Sequence, residues 1–560
     1  MASASTLRSR RSAAQLHALV QVEREIRATD PNSRRKYLRD FSEAFRTYES
    51  VLTPEQLQAQ LHGASLLLVG DYHALPACQR YAAHLVAQLT KASKRPVILG
   101  LETVFARDQH IIDEWRREEI DEQELHDRIR FHLDWGYLWE PFYELLESSR
   151  SHNALIYGLD CMPRDDLRRI RARDRHAAEK IAELRLQHPE ATIVVLFGES
   201  HLAPNHLPEL LRDRLPREEM LTVLQNVDPL YWKAAGERHE RVDAVLVSDK
   251  VVCVFNSTPL EKYESYRICL DRWSREGAYT PDFGPTIYNL IQSLTRFLNI
   301  NTCSSHNGRQ PKFLVDQLPE VYCRTSDELL RRLLQRKVDA EPDRKAIRAW
   351  LEENGSAFLP AMNSIYVRDF RMMNVAEEAA HFLHYACRGS LRKLRNGNGT
   401  LAAEDRFYGR ALEHALGYFG SRVLYPAREP ERESDLYGLY AQSQEEIEQK
   451  SVHTYAEYMR MLDFLVLHRD YEASPRRYVL PPPLIQEGIA FSDDRFDFVT
   501  RWLGYMLGSD LYDAYLAGRV SKRFLRSLFF LKFDRPGSSR LVYFATVRKA
   551  HGKRRRPATS

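Results

Sequence analysis

The stretch Leu66–His73, LLLVGDYH, has a near-copy at Val194–His201, VVLFGESH. Each is a short apolar run that ends in Gly-x-x-His. A run of branched apolar residues bounded by turn signals reads as a fully buried strand. The glycine that follows allows a positive φ or a close backbone approach. Each histidine therefore sits just beyond a strand's carboxyl end. Two more buried runs lie between the copies: PVILGL, residues 96–101, reaching Glu102, and ALIYGL, residues 154–159, reaching Asp160. Helical patterns separate the four runs. Alternating strands and helices give a mainly parallel sheet whose carboxyl ends share one edge, and ligands bind along that edge in open sheets. His73, Glu102, Asp160 and His201, with Asp71 and Glu199 beside the histidines, are candidates to converge there.

Helical periodicity supports this order. Thr53-Pro54-Glu55 opens a helix ahead of the first Gly-x-x-His strand. Tyr81, Leu85, Val86 and Leu89 share one helical face, as a crossover helix on a sheet requires. His84, on that helix, is expected at the surface. Leu167, Ile170, Ala177, Ile181 and Leu184 make a second crossover helix from Asp165 to Leu186. Val242–Phe255 reads as a hairpin about Ser248-Asp249-Lys250. The aromatic cluster Trp135, Tyr137, Trp139, Phe142 and Tyr143 is expected to pack between helices; its sharper use is a wall that stacks on a flat ligand.

Composition bounds the partners. The chain has 560 residues, with 81 Lys+Arg against 77 Asp+Glu, so its net charge of +4 excludes a polyanion receptor by overall charge. Only the basic termini remain for weak polyanion contact. Seven dispersed cysteines without a CxxC fit reduced, mostly buried thiols and a cytoplasmic setting. Arg10-Arg11 is not followed by an apolar core, and no run of about 18 apolar residues predicts a membrane span.

The paired Gly-x-x-His motifs, the strand ending at Glu102, and RDRHAAEKIA running into VVLFGESH together resemble the ChaN-type haem-binding domain of the Tiki superfamily. TraB-type proteins belong to that superfamily, and erythromycin-esterase-like enzymes resemble it. The resemblance covers roughly residues 50–265. It implies either haem binding in an iron-acquisition setting or, as in Tiki-like members, a metal-dependent peptidase whose ligands correspond to His73, Glu102 and His201. Asp71 stands where the family commonly has Glu, and the export signal usual for uptake proteins is absent.

The chemistry also follows from the residues alone. Two imidazoles and a carboxylate suit zinc, manganese or cobalt with open positions for water, and such an ion makes hydroxide near neutral pH. Glu199 or Asp71 would then be the general base. A third option is haem ligation by a histidine or by Tyr72 on this edge. The alternative to all three is that these groups hydrogen-bond one another at the sheet edge.

Beyond about residue 275 the pattern turns helical, with Ile287, Leu290, Ile291, Leu294, Phe297 and Leu298 on one face and a short strand at Ile365–Val367. Glu377, His381 and His384 fall on one helical face, and a packed or solvated face is the expectation there. Polar stretches at 299–311, 389–400 and 474–483 read as loops or linkers. The expected organisation is a basic arm (1–45), an α/β domain (46–280), a mostly α-helical C-terminal region (281–545) and a basic tail (546–560). Three functions are compatible with it: haem or metal binding at the carboxyl edge, metal-dependent hydrolysis, and protein interaction through the helical part with a vestigial site.

Overall fold

The structure is a computed structural model that describes residues 4–29, 36–92, 95–162, 170–237, 241–274, 281–300, 318–323, 327–338, 341–388, 403–432, 434–436, 438, 452–473, 483–489, 494–532, 535 and 537–551. The chain divides into two compact units, one of residues 19–279 and one of residues 1–18 with 280–560.

The first unit is built on an eight-stranded sheet. Its strands are β1 (Ser50–Val51), β2 (Leu66–Asp71), β3 (Val97–Phe105), β4 (Leu155–Asp160), β5 (Thr192–Gly198), β6 (Met220–Gln225), β7 (Ala244–Ser248) and β8 (Val251–Val254). They lie in the order β1-β7-β8-β6-β2-β5-β3-β4. All neighbours from β8 to β4 are parallel, and only the β7–β8 hairpin and the β1–β7 pair are antiparallel. The expected mainly parallel sheet is therefore present. The hairpin closes about Ser248–Val251, and β6 is a strand that the sequence reading passed over.

Strands β2 and β5 are buried along their whole length. Parallel strands covered on both faces read as near-continuous apolar runs, and Leu66–Val69 and Ile193–Phe197 supply them. Successive side chains alternate between faces. Leu67, Val69, Leu99, Val194 and Leu196 enter one core with Leu85, Val86 and Leu89 of the helix Pro76–Ala92 and Phe142, Leu145 and Leu146 of the helix Trp139–Ser151. Leu66, Leu68, Ile98, Ile193, Val195 and Phe197 enter the other, with Ala177, Ala178, Ile181 and Leu184 of the helix Ile170–Gln187. Each fully buried aliphatic side chain contributes about 1.5–3 kcal/mol relative to exposure, so these two layers fix the strand order. The helix Pro54–Gly63 carries the expected cap: Thr53 accepts from the Gln56 amide, and the Gln56 side chain accepts from Thr53 N.

The N-terminal residues differ from the basic arm expected over 1–45. They hold the helices Ala4–Thr29 and Lys36–Ala44, and Phe41 and Phe45 are buried in the sheet's second core. These two rings are spaced i, i+4, so they reach the same face despite the arginine-rich surroundings.

In the second unit the helices include Gly284–Phe297, Met372–Arg388, Ala403–Leu424, Val452–Ala473, Asp494–Leu516, Lys522–Phe529 and Ser538–His551. A three-stranded sheet accompanies them, formed by β9 (Glu320–Cys323), β10 (Ser356–Leu359) and β11 (Ser364–Val367). Only β11 was anticipated. The last helix runs to His551, so part of the expected tail is helical. Residues 301–311, 389–400, 474–482 and 552–560, where loops, a linker and the tail were expected, lie outside the described residues. No helix among the described residues is long and apolar enough to cross a membrane.

Candidate functional site

The two Gly-x-x-His strands are immediate neighbours at the centre of the sheet, with Asp71 opposite Gly198 in register. Strand β3 flanks β5 on its other side and delivers Glu102 to the same edge. His73, Glu102 and His201 are thereby brought together. His73 Nε2 lies 3.8 Å from Glu102 Oε2, and His201 Nε2 lies 3.8 Å from Glu102 Oε1. Gly198 lies beneath them: a β-carbon there would stand 3.1 Å from both Glu102 Oε2 and His73 Nε2, and 3.3 Å from His201 Cδ2.

Both imidazoles are oriented by carboxylates through Nδ1. His73 Nδ1 is 2.8 Å from Asp71 Oδ2, and His201 Nδ1 is 2.5 Å from Asp174 Oδ1. Gln79 donates to the other Asp71 oxygen, and Tyr37 donates to Asp174 Oδ2 at 2.9 Å. A carboxylate on Nδ1 fixes the ring and leaves Nε2 as the outward donor atom, the arrangement found where histidines hold metals. Burial alone would lower the His73 pKa, but the Asp71 charge and hydrogen bond, with Glu102 behind them, raise it.

Glu102 is held by more than the histidines. Arg173 donates to its Oε1 at 2.6 Å, and the Gly198 amide donates to its Oε2 at 2.5 Å. Burial would push this carboxyl up, yet the charges of His201, Arg173 and His73 hold it at about 2. Arg173 also grips Asp160 through two bonds of 2.8 Å. Asp160 thus reaches the cluster through the guanidinium. Four buried carboxylates, Asp71, Glu102, Asp160 and Asp174, face one buried guanidinium and two imidazoles.

Glu199 and Tyr72 occupy a neighbouring compartment. Glu199 pairs with Lys262 Nζ at 3.0 and 3.1 Å, and burial, only partly countered by that ammonium, raises its pKa. Lys262 also lies 4.6 Å from the centre of the Tyr72 ring, whose edge meets Tyr266. Burial raises the Tyr72 phenol pKa. Trp135 and Tyr137 sit beside His73, with ring centroids 4.5 and 5.3 Å away, while Phe142 of the same cluster is in the core. The aromatic group therefore both packs and borders the site. His84 is exposed, as expected.

Arg173, Asp174 and Lys262 are the residues that sequence reasoning missed. Arg173 and Asp174 carried a signal, because they precede Ala177 by four and three positions. That spacing places two charges on the buried helical face, one turn before its apolar part. Lys262 had none; its helix Pro259–Trp273 meets Glu199 only through the fold. A cleft lined by Leu66, Leu211, Leu215 and Met220 lies at the strands' amino ends, away from this cluster.

A carboxylate-braced histidine pair stands at the carboxyl edge of the mainly parallel sheet of an α/β protein. Residues 57–180 match the family described as haem-binding uptake, Tiki superfamily, ChaN. The match includes His73, Glu102, Arg173 and Asp174 and stops before His201. Among solved structures, the chain is similar to ChaN of Campylobacter jejuni, described as binding haem cofacially, at 14% identity over 36% of this chain and 91% of that one, with a TM-score of 0.28. It is also similar to the type III effector HopBA1, at 13% identity over 38% of this chain and 96% of that one, with a TM-score of 0.27. No curated protein matches.

Proposed function

We propose that the chain binds haem or a related iron tetrapyrrole at the carboxyl edge of the sheet, in haem or iron handling, with His73 as the iron ligand. The setting of His73 carries this reading. Its side chain is 20% exposed, whereas those of His201 and Glu102 are 7% and 4% exposed, so His73 is the member at the rim. Its Nδ1 is committed to Asp71, and the Trp135 and Tyr137 rings beside it offer apolar faces to a flat ligand. Bound haem would supply an iron centre that accepts an imidazole nitrogen. The excess of buried carboxylates favours a cationic guest, and Arg173 keeps Glu102 in place beneath it. The free cysteines, Cys78, Cys161, Cys253, Cys269, Cys323 and Cys387 among the described residues, accord with a reducing, cytoplasmic setting.

Metal-dependent hydrolysis is the second reading, favoured by the two carboxylate-braced imidazoles. A zinc, manganese or cobalt ion would be held by His73, Glu102 and His201. It ranks second because Glu102 is engaged by Arg173, and each expected general base is engaged too: Glu199 with Lys262, and Asp71 with His73 and Gln79.

Titrating the purified full chain with haemin tests the proposal. A saturable Soret shift at one equivalent is expected, with His73→Ala weakening it at least tenfold, roughly 1.4 kcal/mol, and His84→Ala leaving it unchanged. Circular dichroism on the same samples checks the fold. Identical titrations for wild type and a folded His73→Ala protein would refute it. A divalent ion lost from both His73→Ala and His201→Ala, without a Soret shift, would favour hydrolysis instead.

A further inference from the structure

The helical unit contains a second convergence of metal-ligating groups, on residues that the haem proposal does not use. Glu377 and His381 are one turn apart on the helix Met372–Arg388, and His414 faces them from the helix Ala403–Leu424. One ligand atom from each lies within 4.8 Å of the other two. His384 shares the helical face of Glu377 and His381 by sequence spacing, where a packed or solvated face was the expectation. That ring turns away, with Nδ1 3.3 Å from the Phe529 carbonyl oxygen.

His414 is the informative residue. It is 2% exposed, and neither ring nitrogen has a hydrogen-bond partner among the described residues. An unsatisfied buried polar group costs about 1–3 kcal/mol, so an imidazole with two such nitrogens marks a missing partner. Room for the rings is made by glycines on facing helices. A β-carbon on Gly417 would stand 2.5 Å from His381 Nε2, and one on Gly504 would collide with His414.

The carboxylate is positioned as a one-oxygen ligand. Arg428 donates to Glu377 Oε2 at 2.6 Å, which leaves Oε1 toward His381, 3.4 Å from its Nε2. Tyr505 also donates to Oε1, at 2.8 Å, as the outer partner of a metal-bound carboxylate would. Of the surrounding guanidiniums, Arg501 pairs with Glu353 at 2.7 Å and Arg410 with Glu413 at 3.2 Å, an acid it shares with Arg388, while Arg428 pairs with the ligand Glu377 itself.

We propose that Glu377, His381 and His414 form a site for one divalent transition-metal ion of the zinc or cobalt class, tying the helix Met372–Arg388 to the helix Ala403–Leu424. Two imidazoles and one carboxylate are the borderline donor set that such ions select, with a further position left for water. Bonds of about 2.1 Å to a tetrahedral ion require donors roughly 3.4 Å apart, so the three groups close slightly around it. His381, whose side chain is 14% exposed, is the member nearest solvent and the way in.

Cobalt(II) titration of the chelator-treated full chain tests the site. The background protein carries His73→Ala, His201→Ala and His132→Ala, which remove imidazoles from the sheet-edge site and from the exposed His126, Asp127 and His132 group. This background should bind one equivalent, with visible d–d absorption of a low-coordinate nitrogen- and oxygen-ligated ion and a raised melting temperature. His381→Ala and His414→Ala should each weaken binding at least tenfold. His384→Ala, buried on the same helix, should keep full binding and so controls for general damage. Failure of the background to give the absorption overturns the proposal, as does undiminished binding by folded His414→Ala protein. Should both alanine variants unfold, the background spectrum and His414→Gln decide in the same way. Because His73 and His201 are already absent, this result is independent of haem binding.

Discussion

Gly198 lies in close contact with the three converging side chains at the sheet edge. Its φ of −49° is open to any residue, so a special backbone conformation is not the reason for glycine here. The reason is close approach: its missing β-carbon leaves the space in which His73, Glu102 and His201 meet, and its amide donates to Glu102. Gly198→Ala should therefore separate the three groups and cost about 1–3 kcal/mol through overpacking. Gly63→Ala is the matching control, since a β-carbon there meets nothing within 4 Å. Chemical denaturation and haemin titration of both variants would check this. Equal stability and equal binding for Gly198→Ala would show that the cluster tolerates a methyl group and that the convergence is looser than described.

At the scale of elements, the helices Val452–Ala473 and Ser538–His551 are joined through one buried carboxylate. Glu472 accepts from His468 at 3.0 Å, Tyr543 at 2.6 Å and Arg469 at 2.7 Å. Burial would raise its pKa, but these partners, the Arg469 charge foremost, hold it at about 2. A carboxyl depressed in the folded state contributes stability that is complete above its unfolded pKa, about 4.3, and is lost as pH falls through the folded value. Between about pH 4.5 and 2 wild type should lose this contribution, and Glu472→Gln should not. At neutral pH the variant should be less stable by roughly 3 kcal/mol, because Arg469 loses a buried partner. Parallel melting curves across this pH window would show the difference; two curves with the same acid slope would exclude the assignment. The local sequence offers only His468 and Arg469 at helical spacing, and the partner that joins Glu472 to the last helix, Tyr543, lies some seventy positions away. The crossover helices and β2 to β5 were legible, since buried strands and amphipathic helices repeat with periods that packing dictates. Strand β6, MLTVLQ, had the same apolar character but no chemistry-bearing ending to draw attention. His414 differs again. Its partners are known from one helical face, but which helix lies opposite is a property of the bundle.

For the whole molecule, the question is what the α/β unit needs in order to fold alone. Its motif strands and crossover helices lie within residues 46–280, which made that span the natural boundary in the sequence. The structure draws residues before 46 into the same unit. Phe41 and Phe45 are buried in its second core, Tyr37 bonds Asp174 behind His201, and Asp40 lies 3.2 Å from His206 Nε2. His206 in turn stacks on Tyr37 at 3.8 Å. A fragment of residues 19–279 should therefore be soluble and melt cooperatively, and one of residues 46–279 should be markedly weaker. Losing two buried phenylalanines leaves uncovered apolar surface worth at least about 4 kcal/mol, which in a domain of this size lowers the melting temperature by roughly 10 °C. The same truncation removes Tyr37 from Asp174, so the shorter fragment should also bind haemin more weakly even where it remains folded. Calorimetry and haemin titration on the two fragments would decide. If they melt together, the N-terminal helices are accessory and the unit begins at β1. If neither is soluble while the full chain is, the two units depend on each other to fold.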